Sequence, residues 1–236
     1  MTPIIKNPFS KLLTVRDLAT KSYQLKSQNK NLVKILIIDD NDFEYENEMR
    51  VCGFNINCVR DLEYFNMAEP YHIIISDITG VGKKLNCKYE GVGLINALKK
   101  QYPYKLYGVY TGNKVSIDIA TVLKDVKIIT KTGFDKDDWE SLLDEFVKEN
   151  NDPKTWWLKL RGALLDEDIS LYELTLLEHK YVNYILHNKT DFKKFLEDNL
   201  SNELKSVLIN INFNFNNSIT ATALPFTPSF CIVFDI

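Results

Sequence analysis

Five side chains that could do chemistry follow directly on short apolar stretches of this 236-residue chain: Asp39, Asp40, Asp77, Thr111 and Lys131. Three carboxylates repel one another at close range unless a cation joins them, and Mg²⁺ suits such an all-oxygen site. A carboxylate held beside Mg²⁺ is a competent nucleophile towards a phosphoryl group, whose negative charge a lysine would offset. If these residues meet in the folded chain, we therefore expect metal-assisted phosphoryl transfer.

The stretches that carry these residues have the pattern of buried strands. Continuous apolar runs are typical of strands covered on both faces in a parallel sheet, and helical stretches separate them. This alternation predicts an α/β fold with a five-stranded, parallel, doubly wound sheet. Ligands bind such sheets at the carboxyl ends of the strands, so the five side chains should converge on one edge. The predicted strands are 34–39, 56–59, 72–77, 106–111 and 126–130, and the predicted helices are 42–51, 61–68, 91–102, 114–124 and 135–147.

Two further regions flank this unit, which we predict to span residues 32–150. The N-terminal region, 1–31, combines an amphipathic helix at about 8–28 with a linker, and residues 1–30 carry six basic residues against one acidic residue. The C-terminal region, 151–236, is predicted to be a mainly helical output or dimerisation region. Its predicted helices are 153–165, 170–187 and 191–206, and the alternating stretch 208–215 could pair with 230–234 in a terminal β-hairpin.

Composition narrows the classes of function. The formal net charge is −3, and the C-terminal region carries eight basic residues against eleven acidic ones, which argues against nucleic-acid binding. No apolar run reaches the roughly 18–20 residues of a membrane span, so we expect no membrane contact. Cys52, Cys58, Cys87 and Cys231 lack the spacing of a metal site, and we expect reduced thiols in a cytoplasmic protein.

Short motifs surround the candidate residues in a fixed order. They are Ile37-Ile-Asp-Asp-Asn41, Ile73-Ile-Ile-Ser-Asp77, Glu90-Gly-Val-Gly-Leu-Ile95, Tyr110-Thr-Gly112 and Ile128-Ile-Thr-Lys131. Over about half of the chain, this ordered set resembles bacterial response-regulator receiver domains of two-component signalling. The resemblance implies a flavodoxin-like sheet and a phosphorylation-dependent signalling switch rather than a metabolic enzyme.

The resemblance also implies roles for the individual residues. Asp77 would be the phosphoacceptor, and Thr111 and Lys131 would contact the phosphoryl group. A histidine kinase or a phosphotransfer protein would supply that group, and the signal would pass by protein–protein contact to an unknown output protein or to a second copy in a homodimer. The ligands of Mg²⁺ would be Asp39, Asp40, Asp77 and the backbone carbonyl of Thr79.

The chain departs from the family pattern near the site. The loop between Asp77 and Gly91 is longer than usual, and Thr132 stands where a proline is common. Ile128 occupies a position that often carries the aromatic ring of a rotamer switch. A short β-branched side chain cannot replace such a ring. We therefore expect phosphorylation to change the conformation of other elements: the loop after Thr111, the helix that follows it and the long loop.

Two other functions fit parts of this pattern. A pseudo-receiver would keep the fold as a constitutive protein-interaction module and would take up no phosphoryl group. A phosphatase-type hydrolase uses an aspartate nucleophile on a similar sheet, but it needs a second aspartate two residues later, where Thr79 stands. Uptake of a phosphoryl group on Asp77 separates the receiver from the first alternative, and turnover of phosphomonoesters would identify the second.

Overall fold

A single parallel sheet of five strands forms the centre of the molecule. The computed structural model describes residues 11–18, 27–112, 117–166 and 169–187, with 198, 201 and 202. The strand order is β2-β1-β3-β4-β5, which is the doubly wound, flavodoxin-like order. The predicted fold class of this sheet is therefore confirmed. The strands are β1 (Lys34–Ile38), β2 (Asn55–Val59), β3 (Ile73–Asp77), β4 (Leu106–Thr111) and β5 (Lys127–Thr130).

Seven α-helices lie among the described residues. The capping residues fix where some of them begin: the Asp135 carboxylate accepts the amides of Asp137 and Asp138, and Ser170 Oγ accepts the amide of Glu173. Within the described part of the chain, no helix combines the length and the hydropathy that a membrane span requires. The helices are α1 (Val15–Leu18), α2 (Glu46–Val51), α3 (Glu90–Gln101), α4 (Ile117–Val122), α5 (Lys136–Asn150), α6 (Pro153–Asp166) and α7 (Leu171–Leu186).

Some elements differ from the predictions. The predicted helix at 61–68 is only a short 3₁₀ helix, Phe65–Ala68, and α2 begins four residues later than predicted, at Glu46. In the N-terminal region the described helical segments are α1 and the 3₁₀ helix Ser27–Leu32, where a linker was predicted. The predicted helix 191–206 lies almost wholly outside the described residues, and the predicted hairpin 208–215 with 230–234 lies outside them entirely.

The two faces of the sheet carry separate cores. Ile35 and Ile37 of β1 pack in one core with Phe146 of α5, while Leu36 and Ile38 pack in the other with residues of α3. Alternate strand residues point to opposite faces, which is why neighbours in one strand enter different cores. By the same alternation, a residue two positions after Ile37 lies on the α5 face of the sheet.

The N-terminal segment packs on the C-terminal helices in a third core. Val15 and Leu18 join a buried cluster with α6 and α7, in which Trp157 stacks on Tyr181 with 5.2 Å between ring centroids. The amide of Leu13 donates to His179 Nδ1 at 2.9 Å, so this histidine has a structural contact. The three-part division of the chain stays a prediction, but the first and third parts share one core.

Lys159, which is half-buried, connects this third core to the sheet domain. Lys159 Nζ of α6 donates to the carbonyls of Tyr104 and Lys105, at 3.2 and 3.4 Å, in the turn before β4. Burial lowers the pKa of Lys159 to about 8, because the ammonium is largely withdrawn from water. The ring of Tyr104 belongs to the third core, so the same turn contributes an apolar contact as well.

Shortening a side chain should cost more stability on the buried side of α6 than on its exposed side. Leu160 is 1% exposed and Leu158 is 51% exposed, two residues apart in one helix. Leu160→Ala should lower the free energy of unfolding by about 2–5 kcal/mol, because it leaves a cavity. Leu158→Ala, the matched control, should change it by about 0.5 kcal/mol or less. Urea denaturation measures both, and equal losses would contradict this orientation of α6.

Candidate functional site

Three carboxylates meet where the strand order of the sheet reverses. In the sheet, β2 lies on one side of β1 and β3 lies on the other. The connection after β1 therefore runs to one side of the sheet and the connection after β3 runs to the opposite side. Sheets of this kind bind ligands at the carboxyl ends of the strands where this change of direction occurs, here the β1/β3 edge. One carboxylate oxygen from each of Asp39, Asp40 and Asp77 lies within 4.8 Å of the others. Asp39 and Asp77 are 6% and 7% exposed, while Asp40 is open to solvent. The predicted convergence of these residues is thus present.

Lys131 supplies the positive charge between the two buried carboxylates. Its Nζ lies 2.7 Å from Asp77 Oδ2 and 3.3 Å from Asp39 Oδ2. Burial lowers the pKa of Lys131, but the hydrogen bond to Asp77 and the charges of both carboxylates outweigh burial, so the net shift is upward. The backbone of Lys131 is fixed as well, because its amide donates to the carbonyl of Thr111 at 2.8 Å. Thr111 is 4% exposed at the end of β4.

Two residues that sequence analysis missed complete the surroundings of Asp39. The Tyr110 hydroxyl donates to Asp39 Oδ2, and the Asn41 amide donates to Oδ1 at 2.9 Å. Burial disfavours ionisation of Asp39, but these two donors and Lys131 outweigh it and hold the pKa of Asp39 below its usual value. Burial and the bond to Asp39 raise the pKa of Tyr110, so its hydroxyl keeps its proton. No pattern in the sequence marked Tyr110, because its position opposite Asp77 depends on the register between β3 and β4.

The backbone after β3 folds closely around the acidic residues. Asp77 Oδ1 accepts the amides of Ile78 and Thr79, at 2.6 and 3.3 Å. Gly80 has φ +85°, and a Cβ there would lie 2.1 Å from Asp40 Oδ2. Only glycine therefore fits between this turn and the Asp40 carboxylate. The turn brings the backbone that includes the Thr79 carbonyl to the acidic site, while the role of that carbonyl as a ligand stays a prediction.

Carboxylates from two other elements hold the long loop in place. Asp61 follows β2 and accepts the amides of Gly82 and Lys84, at 2.6 and 3.0 Å. Glu90, the first residue of α3, accepts the amide of Gly80 at 2.6 Å. The role of Asp61 was not predicted, because its partners lie more than twenty residues away along the chain. The loop is thus held at three amides, those of Gly80, Gly82 and Lys84, the first of which lies beside Asp40.

A cavity of about 220 Å³ opens on the α5 side of Asp39. Asp39, Tyr110 and Lys131 line it together with aromatic rings from the β1–α2 and α5 segments. The Trp139 ring packs edge-on against Phe43 at 4.9 Å and against Tyr110 at 5.5 Å, between centroids. The aromatic packing thus connects the site to α5.

Ile128 is not part of this site. Its side chain is 42% exposed on β5, whereas Ile129 is buried. Truncation of the Ile128 side chain would therefore leave no cavity in the core. Ile128 also carries no ring and is stiff at χ1, so a route for the signal through other elements stays a prediction.

The donor set fits a small, hard divalent cation. All the available side-chain donors are carboxylate oxygens, which Mg²⁺ prefers, and the open side at Asp40 leaves room for the waters that Mg²⁺ retains. Of the cysteines that the structure describes, Cys52, Cys58 and Cys87, none belongs to the acidic cluster. Burial raises the pKa of Cys58 to about 12, which keeps it a neutral thiol.

Comparisons with known proteins give little beyond this geometry. No protein-family model matches the chain, and no curated protein matches it. One similar solved structure is RcsB from Salmonella enterica serovar Typhimurium, bound to promoter rprA in the presence of the phosphomimetic BeF3-. It is 17% identical, covers 77% of this chain and 98% of its own, and superposes with a TM-score of 0.38. At that score the likeness carries no argument, and the fold class rests on the strand order.

We expect the loss of Lys131 to destabilise the fold in a pH-dependent way. Lys131→Met leaves Asp39 and Asp77 facing each other without a cation and should lower the free energy of unfolding by about 2–3 kcal/mol at neutral pH. The pKa of Asp39 is depressed in the fold, so its ionic contribution is present above its ordinary value of about 4 and is lost as the pH falls through the lowered value. Denaturant titrations should therefore show the two proteins converging in acid.

Lys84→Met provides the matched control for this experiment. Lys84 pairs with Glu63 at 3.0 Å, but the side chains are 54% and 61% exposed. An exposed pair of this kind contributes about 0.2–1 kcal/mol, so the control should lose little stability at any pH. A loss in Lys131→Met that matched the control, or that did not change with pH, would contradict the bridging role of Lys131.

Proposed function

We propose that this chain is a receiver-type signalling protein that accepts a phosphoryl group on Asp77 in the presence of Mg²⁺. The observation that carries the proposal is the position of Lys131, whose ammonium bridges Asp77 and Asp39 at 2.7 and 3.3 Å at the β1/β3 edge. A lysine so placed would offset the charge that a phosphoryl group brings to this already acidic edge. The ordered motifs around these residues support the same function.

In this proposal the acidic residues hold the metal ion. Asp39, Asp40, Asp77 and the backbone carbonyl of Thr79 would be its ligands. When bound, Mg²⁺ would neutralise part of the charge on the oxygens of the transferred phosphoryl group. Gly80 would keep the backbone close enough to Asp40 for both to serve one cation, because any side chain at this position would enter the space of that carboxylate.

The transfer itself forms one bond and breaks another. An oxygen of the Asp77 carboxylate attacks the phosphorus atom of a phosphohistidine on a kinase or phosphotransfer protein. A phosphorus–oxygen bond forms, the phosphorus–nitrogen bond of the donor breaks, and its electron pair stays on the imidazole nitrogen. Lys131 exchanges its contact with Asp77 Oδ2 for one with a phosphoryl oxygen, and the Thr111 hydroxyl donates to another. The product is an acyl phosphate on Asp77.

The signal then passes by protein–protein contact. Because Ile128 is exposed and carries no ring, we assign the change to the loop after Thr111, to α4 and to the anchored loop that begins at Thr79. The C-terminal helices present exposed apolar side chains, among them Leu171 and Tyr172 at 66% and 73% exposed, to an output protein or to a second copy of the chain. In this proposal the protein works in the cytoplasm and binds neither nucleic acid nor membrane.

Mg²⁺ should stabilise the folded chain by mass action. At ten times its Kd the ion adds about 1.4 kcal/mol to the free energy of unfolding, which raises the melting temperature by about 3–6 °C for a chain of this size. Asp40→Ala should abolish the rise. Asp42→Ala is the matched control, because the Asp42 side chain is 90% exposed and pairs with Arg60. A melting temperature that millimolar Mg²⁺ leaves unchanged would contradict the metal site.

Phosphorylation of the chain should require the Asp77 carboxylate. Incubation with acetyl phosphate and Mg²⁺ should add the mass of one phosphoryl group to the intact chain, and Asp77→Asn should remove this gain. Asp42→Asn should keep it, since that residue lies outside the acidic cluster. No gain in a chain that binds Mg²⁺ would instead support a pseudo-receiver, and turnover of phosphomonoesters would support a phosphatase-type hydrolase.

A further inference from the structure

Tyr110 occupies a position from which it can control one ligand of the metal. It lies in β4 opposite Asp77, is 2% exposed, and shares the α5 face of the sheet with Asp39 and Asp77. Its hydroxyl donates to Asp39 Oδ2, and its ring lies under the Lys131 ammonium at 4.3 Å from the centroid. A buried ring held on both sides cannot turn away from Asp39 without disturbing its neighbours.

The donors around Asp39 leave little of its carboxylate unused. An ionised carboxylate has about four acceptor positions, two on each oxygen. Tyr110 and Lys131 both donate to Oδ2, the latter at 3.3 Å, and the Asn41 amide donates to Oδ1 at 2.9 Å. One acceptor position on Oδ1 therefore remains. Asp39 can offer a cation, or a water bound to it, a single oxygen in a single direction.

We infer that Tyr110 is a specificity-determining positioning residue: by occupying Asp39 Oδ2, its hydroxyl restricts Asp39 to one oxygen and so makes the site select Mg²⁺ over Ca²⁺. The inference rests on the proposed function, because it needs a divalent cation at the acidic residues. It concerns the choice of cation, which the acidic residues alone do not decide, since both ions accept carboxylate oxygens.

The physical reason lies in the coordination that each ion needs. Mg²⁺ takes six ligands in a near-ideal octahedron and keeps several waters, so one oxygen from each carboxylate is sufficient. Ca²⁺ takes six to eight ligands in flexible geometry and gains from carboxylates that bind through both oxygens. With the Tyr110 hydroxyl in place, Asp39 cannot turn both oxygens to the ion. Without it, Oδ2 keeps only the longer contact with Lys131, and the carboxylate can rotate towards two-oxygen binding.

The chain contains a close control for the loss of a buried hydroxyl. Tyr107 lies three residues earlier in β4 and packs in the core on the other face of the sheet. Its hydroxyl lies 2.9 and 2.8 Å from the carbonyls of Leu98 and Tyr102, so its hydrogen-bond partners are backbone groups and not carboxylates. Tyr107→Phe therefore removes a comparable buried donor without changing the surroundings of Asp39.

The test measures the Kd of Mg²⁺ and of Ca²⁺ for the full chain by calorimetric titration. The proteins compared are the unaltered chain, Tyr110→Phe and Tyr107→Phe, with circular dichroism to verify folding. In Tyr110→Phe, the preference for Mg²⁺ over Ca²⁺ should fall by about tenfold, the lower end of what losing a partner of a metal-ligating side chain does. In Tyr107→Phe the preference should stay as in the unaltered chain.

The outcomes distinguish the inference from the proposed function. If the unaltered chain bound neither ion, the proposed function would fail and the inference with it. If it bound Mg²⁺ and Tyr110→Phe kept the same preference, the inference alone would be overturned. Should Tyr110→Phe not fold, infrared difference spectra of the unaltered chain, referenced to Asp39→Asn, decide the question. The carboxylate stretches of Asp39 should show one-oxygen binding with either ion, and a two-oxygen pattern with Ca²⁺ would overturn the inference.

Discussion

The buried pair of carboxylates at the β1/β3 edge is the constraint on which the rest of the site depends. Asp39 and Asp77 are almost fully removed from water, and two negative charges in such a place are unfavourable unless a cation and hydrogen-bond donors compensate them. Lys131 provides the charge, and backbone amides together with the Tyr110 hydroxyl provide the donors. The fold can bring these groups together because the carboxyl ends of parallel strands share one edge.

The long loop after β3 packs its backbone against the same edge of the sheet. Five residues between β3 and the first residue of α3, Glu90 included, have positive φ, and three of these are not glycine, so the backbone is held in conformations that unconstrained chains avoid. Asp61 and Glu90 compensate by accepting amides of the loop. The result is a turn in which Gly80 lies against Asp40, and the exposed member of the acidic cluster has a fixed neighbour. A loop of this length without such bonds would not hold its backbone against one carboxylate.

Aromatic packing connects the site to the helix that covers it. Trp139 of α5 contacts Phe43, Tyr110 and Phe134 edge-on, with centroids 4.9, 5.5 and 5.3 Å apart. A change in the position of the Tyr110 ring would therefore displace α5, because closely packed interiors transmit small displacements. α5 in turn contacts α6, so the path reaches the C-terminal helices and the N-terminal segment that packs on them. The surface residue Ile128 lies outside this path.

The sequence by itself determined the sheet and most of the acidic cluster, whereas tertiary structure decided what surrounds the cluster. Apolar runs of strand length reveal buried strands, and the edge of a parallel sheet then brings Asp39, Asp77 and Lys131 together, because each lies at the carboxyl end of a strand. No pattern along the chain reveals that the Tyr110 hydroxyl reaches Asp39, 71 residues away, since that contact depends on register and side-chain direction. The exposure of Ile128 and the packing of Val15 and Leu18 on α6 and α7 depend likewise on contacts between elements distant in sequence.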